Sequence, residues 1–191
     1  MPRPDHSRAA LVAAAGRLLR RQGYAATGLA QIVSESGTSV GSLYHHFPGG
    51  KEGLAVAAID EQGAAIAGLL ARLLDREADV ATLVVRWLEA MGGMLAADVY
   101  DGCPIAPSAV ESIAASPPLR AAATRAFGSW QELLAARLRR DGWAAAAAES
   151  DASAVLSLLE GALMLARTLG DPAPLQAAAR GARRLLATPG G

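Results

Sequence analysis

The sequence predicts an all-α protein of about nine helices, on three observations. Alanine is abundant while aromatic residues make up only 4 %, a composition suited to helices packed closely through small side chains. Apolar residues recur at helical spacing from near residue 7 to near residue 187, and no strand pattern of any length or tandem repeat interrupts them. Apolar residues make up 52 % of the 191, which argues against disorder and suffices for one core, or one core with a small appended module.

The elements follow in order. Residues 7–22 form an amphipathic helix, with Leu11, Ala14, Ala15, Leu18 and Leu19 on one face and Arg8, Arg17, Arg20 and Arg21 on or beside the other. Gly23 ends it, and Thr27 is placed to cap a short second helix whose apolar face is Leu29, Ile32 and Val33. Gly37 breaks that helix. Ser39 then caps a very short third one, "VGSLYHH", before the turn Pro48-Gly49-Gly50. A long helix runs from Lys51 to about Leu74, with Leu54, Ala58, Ile66, Leu69, Leu70 and Leu73 expected inside. Another covers about Asp79–Ala97. The irregular link "DVYDGCPIAP" leads into a short helix ending near Ala115. Ser116-Pro117-Pro118 opens a helix to about Arg140, with proline in its first turn. The last two helices are expected at about 149–169 and 173–187.

Net charge is zero, but residues 1–51 carry +4 and the remainder −4. A basic front end on an acidic body suits a polyanionic partner, with chance clustering as the plain alternative. Arg17, Arg20 and Arg21 suit a solvated face equally well, while Arg3 and Arg8 are placed to trail along a DNA backbone. The single cysteine, Cys103, makes an internal disulfide impossible and suggests a reducing compartment. No apolar run follows the N-terminal basic residues, and charges and glycines interrupt every long apolar stretch. The expectation is a cytoplasmic protein without a signal peptide or membrane span.

The most informative stretch is "GTSVGSLYHHFPGGK", Gly37–Lys51. Helix, glycine turn and short helix are the plan of a helix-turn-helix. Val40, Gly41 and Ser42 are small enough to let the third helix approach a groove closely. Leu43 and Phe47, four apart, anchor its inner side. Ser39, Ser42, Tyr44, His45 and His46 can hydrogen-bond phosphates or base edges. Lys51, at the start of a helix, can hold a phosphate together with free backbone amides. Adjacent histidines point about 100° apart, and no Cys, His or Glu stands four residues from them, so a metal site is not expected. One of the pair, His46 in preference, can instead serve in packing.

"TGLAQIVSESGTSVGSLYHHFPGGKEGL" resembles the DNA-binding signature of TetR-family transcriptional regulators over about residues 8–56. The matching features are the helix entry at Thr27, the glycine at Gly37, Leu-Tyr-x-His-Phe at Leu43–Phe47 and Lys-Glu-x-Leu at Lys51–Leu54. The resemblance implies a helix-turn-helix domain over residues 1–50 and a ligand-binding and dimerisation domain over 51–191. Two positions depart from the common pattern. Val40 replaces a polar or basic residue, which implies an apolar base contact such as a thymine methyl. Gly28 replaces a serine or threonine, which leaves a phosphate contact to the backbone or removes it. "FPGGK" is one residue longer than the usual turn. It and "DGCPIAPSAVES" are similar to the LmrA/YxaF-like branch.

In the body, Trp87, Met91 and Met94 share one helix face, and Phe127 and Trp130 another, with Met164 on a later helix. Plain core packing is the simple explanation. The resemblance implies instead an inducer cavity among these helices, with Cys103, Ser108, Glu111 and Arg167 as its polar groups and an apolar or aromatic small molecule as its ligand. Cys103, before a proline at a helix start, is either structural or a redox sensor. The last two helices hold more apolar surface than one seam needs. By resemblance, Val155, Leu158, Leu159, Ala162, Leu163, Ala166, Ala178 and Ala182 form a two-fold dimer interface, which implies a palindromic double-stranded DNA operator.

No catalytic constellation, metal-ligand spacing or cofactor motif is present, so neither an enzyme nor a cofactor is expected. The reading is a dimeric, ligand-responsive repressor. The alternatives are a DNA-binding regulator without a small-molecule ligand and a helical binding protein that has lost DNA binding.

Overall fold

The computed structural model describes residues 6–98 and 102–187, with the side chains of residues 112–115 outside the description. Nine α-helices and no strand occur among them: α1 Ser7–Ala26, α2 Leu29–Ser36, α3 Val40–His46, α4 Gly50–Arg76, α5 Val80–Ala97, α6 Ala106–Ala115, α7 Pro117–Arg140, α8 Ala145–Leu169 and α9 Ala173–Leu185. They sort into two compact units. One comprises the described residues of Met1–Ala64 together with Pro104–Ala126, the other those of Ala65–Cys103 and Phe127–Gly191. The division runs through α4 and α7, and it places α6 in the same unit as α1–α3.

Local chemistry explains the helix ends. The Ser39 hydroxyl accepts the Ser42 amide at 3.1 Å and starts α3. Asp79 accepts the Thr82 amide at 2.7 Å and starts α5, while the buried Ser116 accepts the Leu119 amide at 3.3 Å and starts α7. Gly37 adopts φ +65° and closes α2, a conformation that costs a residue with a Cβ more than glycine.

Three helix boundaries differ from the sequence expectation. Gly23 is non-helical (φ +78°) as expected of a break, but helical hydrogen bonding resumes beyond it, so α1 reaches Ala26. Thr27 does not cap α2. That position belongs to Gly28, and the Thr27 side chain is buried with its hydroxyl donating to the Gly23 carbonyl at 2.6 Å. α8 begins at Ala145 rather than 149, because its alanine run has strong helix propensity but no apolar periodicity to read.

In the first unit, Leu11, Val12, Ala14, Ala15, Leu18 and Leu19 of α1 are buried, with Ile32, Leu43, Phe47 and Leu54 from the following helices. On α4, Ala58 and Leu70 are inside as expected, but Leu69 is exposed and Ile66 and Leu73 only half-buried. Ile59 and Leu74 are buried in addition, one residue round the helix from the expected stripe. In the second unit, α9 lies against both α5 and α8. Arg137 of α7 is buried there. Its guanidinium donates to the backbone carbonyls of Leu74, Glu77 (3.1 Å) and Ala78 (2.7 Å), and to Asp141 at 2.9 Å.

By length and composition α4, α5 and α8 are apolar enough to cross a membrane, contrary to the sequence reading. Leucine, alanine and, in α5, valine raise their mean hydropathy, while charged residues and glycines interrupt each of them.

Candidate nucleic-acid interface

α3 has two chemically distinct sides. Inward, Leu43 and Phe47 are buried, and the guanidinium of Arg8 lies over the Phe47 ring at 5.5 Å. Beside them, Ser42 and His46, one turn apart, both reach Ser7 at the start of α1. The Ser42 hydroxyl donates at 2.8 Å, and the His46 Nε2 stands 2.9 Å from the Ser7 hydroxyl. Outward, Val40 and Tyr44 are 58 % and 51 % exposed, with Ser39, Gly41 and His45 exposed around them. Beside Gly41 a Cβ would meet nothing closer than the Ser39 hydroxyl at 3.7 Å, so nothing blocks backbone approach there. The outward side carries no Lys, Arg, Asp or Glu.

This arrangement divides the predicted contact residues. Ser39, Val40, Gly41, Tyr44 and His45 form one solvent-facing surface, and Gly28 is also exposed. His46 and Ser42 are engaged with Ser7, the packing role considered for His46. Thr27 is turned inward, so its side chain is corrected from a contact residue to a structural one. Lys51 Nζ stands 4.3 Å from the centre of the Tyr24 ring and donates to the Ala25 carbonyl at 3.4 Å, holding the end of α1. Burial pushes the Tyr24 hydroxyl pKa above its ordinary value, and the Glu52 carboxylate adds to the shift. Arg3 lies outside the described residues. No cluster of three or more His, Cys, Asp or Glu placed to hold a metal ion occurs among them.

The predicted inducer residues do not form one set. Ser108 and Glu111 belong to the first unit, the other eight to the second. Glu111 accepts the Ala25 amide at 2.6 Å, so its carboxylate meets the end of α1. Ser108 is fully buried, and its hydroxyl has no hydrogen-bond partner among the described residues. Met94 and Met164 are exposed rather than core. Trp87 and Met91 are half-buried. Trp130 is buried edge-on against Phe127, ring centres 5.3 Å apart.

Cys103 and Arg167 share a corner. The Arg167 guanidinium lies against Gly102, where a Cβ would meet it at 2.7 Å, and the buried Cys103 thiol hydrogen-bonds the carboxyl of Glu160. Burial raises the Glu160 pKa, and the thiol partly offsets the shift. Sequence reasoning missed Glu160, whose spacing to Arg167 (i, i+7) was the available signal. A separate, half-open groove of about 520 Å³ runs between α5 and α9, with Leu88, Leu175 and Ala179 on its floor and Arg180 and Arg183 at its rim. None of the predicted inducer residues lines it.

The predicted dimer residues differ in their burial within the protomer. Val155, Ala162, Leu163, Ala166, Ala178 and Ala182 are buried within the protomer, where they join α8 to its own neighbours. Leu158 and Leu159 are half-buried. The exposed apolar stripe of α8 is instead Met164, Leu165 and Leu169, flanked by Leu158 and Gly161.

Comparison with known proteins identifies the family. Residues 11–58 match the family described as bacterial regulatory proteins, tetR family. Residues 76–181 match the C-terminal domain of transcriptional regulators of the LmrA/YxaF type. The chain is 35 % identical over 170 residues to the HTH-type transcriptional regulators YxaF and LmrA of Bacillus subtilis. It covers 88 % of this chain and 89 % or 90 % of theirs. Similar solved structures include E. coli NemR in its reduced form (TM-score 0.82, 22 % identity, 97 % of this chain and 100 % of that one). A regulatory protein TetR from Rhodobacter sphaeroides is also similar (TM-score 0.82, 26 % identity, 95 % and 99 %).

Proposed function

The chain belongs to the TetR family of transcriptional regulators, DNA-binding proteins that are not enzymes, and from that premise we propose that it is a cytoplasmic, dimeric repressor of a palindromic operator, released by an apolar or aromatic small molecule. The observation that carries the reading is the outward side of α3, with Val40, Gly41, Tyr44 and His45 exposed on a helix anchored by Leu43, Phe47 and the Ser7 contacts. Residues 1–50 are the reading head and 51–191 the ligand-binding and dimerisation body. The family acts as dimers, and the stripe Leu158, Gly161, Met164, Leu165 and Leu169 is the surface offered for it. It is apolar and exposed, with a glycine that permits close helix approach. A dimer places two α3 helices on one face of the duplex, hence the palindrome. An inducer releases DNA only by favouring a spacing of the two heads that fits the operator poorly.

The test is fluorescence anisotropy of the full chain against DNA flanking its own gene and against scrambled DNA, across a salt series. Tight, salt-sensitive binding to the flanking DNA alone, weakened by His45→Ala and by Tyr44→Phe, is expected. Equal weak binding to both, with no duplex enriched from a random pool, would refute operator reading. Candidate inducers are then screened by loss of the same signal.

A further inference from the structure

α6 packs against α1, and it also reaches the far end of α1 through a carboxylate. Glu111 Oε2 accepts the backbone amide of Ala25 at 2.6 Å, a contact across 86 residues of sequence. The other face of the carboxylate rests on Gly23. A Cβ there would meet the Glu111 Cδ at 3.0 Å and collide with Oε1. Gly23 also holds φ +78°, so it gives the chain its bend and leaves the seat the carboxylate occupies.

The corner that Glu111 grips joins α1 to α2. Gly23 interrupts α1, and the backbone from Gly23 to Gly28 is tied by a small set of bonds. The Thr27 hydroxyl donates to the Gly23 carbonyl, Lys51 to the Ala25 carbonyl, and Gln22 to the Ala26 carbonyl at 3.0 Å. A second tie comes from the segment that follows α6. The Ser116 hydroxyl donates to Glu52 Oε1 at 2.6 Å, beside Lys51. α2 leaves directly from this corner, and α3 follows α2 after the three-residue turn Gly37-Thr38-Ser39. The direction of the reading helix therefore depends on where the corner is held.

We propose that Glu111 is a positioning residue for operator reading: its carboxylate clasps the α1–α2 corner to α6, so that the register of α3 follows the position of α6. The inference rests on the operator-reading function above and adds the route by which α6 governs it. The contact is a hydrogen bond from a backbone amide just beyond the Gly23 bend to a side-chain carboxylate. Its loss frees the corner without emptying the core, because Glu111 itself is solvent-exposed.

The experiment uses the full chain and a duplex enriched by the wild-type protein from a random pool, with a random duplex beside it. Four variants are compared: Glu111→Ala, Glu111→Gln, Gly23→Ala and the double variant Gly23→Ala/Glu111→Ala. Three readouts are taken: affinity for each duplex, thermal midpoint, and hydrogen exchange of the amides of residues 24–29. Glu111→Ala is expected to weaken the enriched duplex about tenfold, the size of one charge-assisted hydrogen bond. Affinity for the random duplex should stay unchanged, the thermal midpoint should fall by no more than the roughly 2–4 °C that one such bond is worth in a chain of this size, and exchange at Ala25 should quicken. Glu111→Gln, which keeps an acceptor without the charge, should fall between. Gly23→Ala should weaken the enriched duplex as Glu111→Ala does and also lower the thermal midpoint, because a Cβ at φ +78° is strained in itself. In affinity for the enriched duplex the double variant should lose less than the two singles combined, because both disrupt the same seat. Unchanged selective affinity in Glu111→Ala would overturn the proposal, as would parallel loss of both affinities with the thermal midpoint. If the wild type enriches no duplex, operator reading itself fails. Ala25 exchange then decides the clasp alone, with faster exchange in Glu111→Ala supporting it and unchanged exchange refuting it.

Discussion

Replacing Arg137 tests the strongest tertiary polar contact described in the second unit. α4 ends at Arg76, and its last carbonyls have no helical donor. Arg137 supplies donors to the Leu74, Glu77 and Ala78 carbonyls from a buried position, and its Nε is held by Asp141. In Arg137→Ala, the buried Leu74 carbonyl loses its charged partner, a cost of about 2–3 kcal/mol. The part-buried carbonyls of Glu77 and Ala78 regain water, which limits their loss to about 0.5–1 kcal/mol each. The freed side-chain entropy of a long ordered residue returns about 1–2 kcal/mol. The net loss is about 2.5 kcal/mol, equivalent to a fall of roughly 5–10 °C in thermal midpoint for a chain of this size. Urea unfolding at fixed protein concentration measures it, because dimerisation would otherwise contribute. Arg137→Lys keeps the charge but reaches one carbonyl, so it should recover about a third of the loss. A loss below about 1 kcal/mol for Arg137→Ala would refute the clamp.

Three further outcomes are expected. Val40→Ala, at an exposed position, should leave thermal stability within about 0.5 kcal/mol and weaken operator binding by about 1 kcal/mol; unchanged affinity across all duplexes would remove Val40 from the reading surface. Leu165→Glu should convert the dimer to a monomer by light scattering at micromolar concentration, whereas a persisting dimer would move the interface off this stripe. Burial raises the Glu160 pKa, so between the ordinary glutamate value of about 4.3 and the raised one the folded state binds more protons than the unfolded chain. Its contribution is fully present below that window and falls as pH rises through it. Glu160→Gln should therefore flatten the decline in stability on the alkaline side of about pH 4.3 in urea titrations, and an unaltered pH profile would contradict the shift.

Much of the fold was legible because its boundaries are set by local chemistry. Ser39, Asp79 and Ser116 each satisfy an amide three residues on, and Gly37 and Gly170 close helices in the left-handed region. The outward side of α3 was legible for the same reason. With Leu43 and Phe47 fixed as anchors, helical geometry places Val40, Gly41, Tyr44 and His45 outside. The orientation of α8 was not. It is apolar on two sides, and periodicity cannot say which side meets its own protomer. Ala162, Leu163 and Ala166 face inward, while Met164 and Leu165, between them in sequence, face out. Long-range polar contacts were also beyond reach. Nothing local to Glu111 or Arg137 indicates a backbone partner 86 or 63 residues away.

The composition of α3 separates affinity from selectivity in a way the charge balance alone does not. Its outward side carries no Lys or Arg, the residues that supply most of the phosphate neutralisation behind DNA affinity. That work falls to basic groups elsewhere in a front end carrying +4, and Arg8 is placed beside α3 through its contact with Phe47. Without Arg, Lys, Asn or Gln on α3, the bidentate readings of guanine and adenine are unavailable too. What remains is shape, hydroxyl and imidazole hydrogen bonds from Ser39, Tyr44 and His45, and the apolar contact of Val40. Such a surface discriminates only when held in close register, since its individual contacts are weak. A reading helix of this kind depends on its supports, Ser7 at one end and the Glu111-held corner behind it, more than a helix studded with arginines would. Substitutions in those supports should therefore lower the ratio of operator to random-duplex affinity, whereas Arg8→Ala should weaken both duplexes alike and reduce the salt dependence of each.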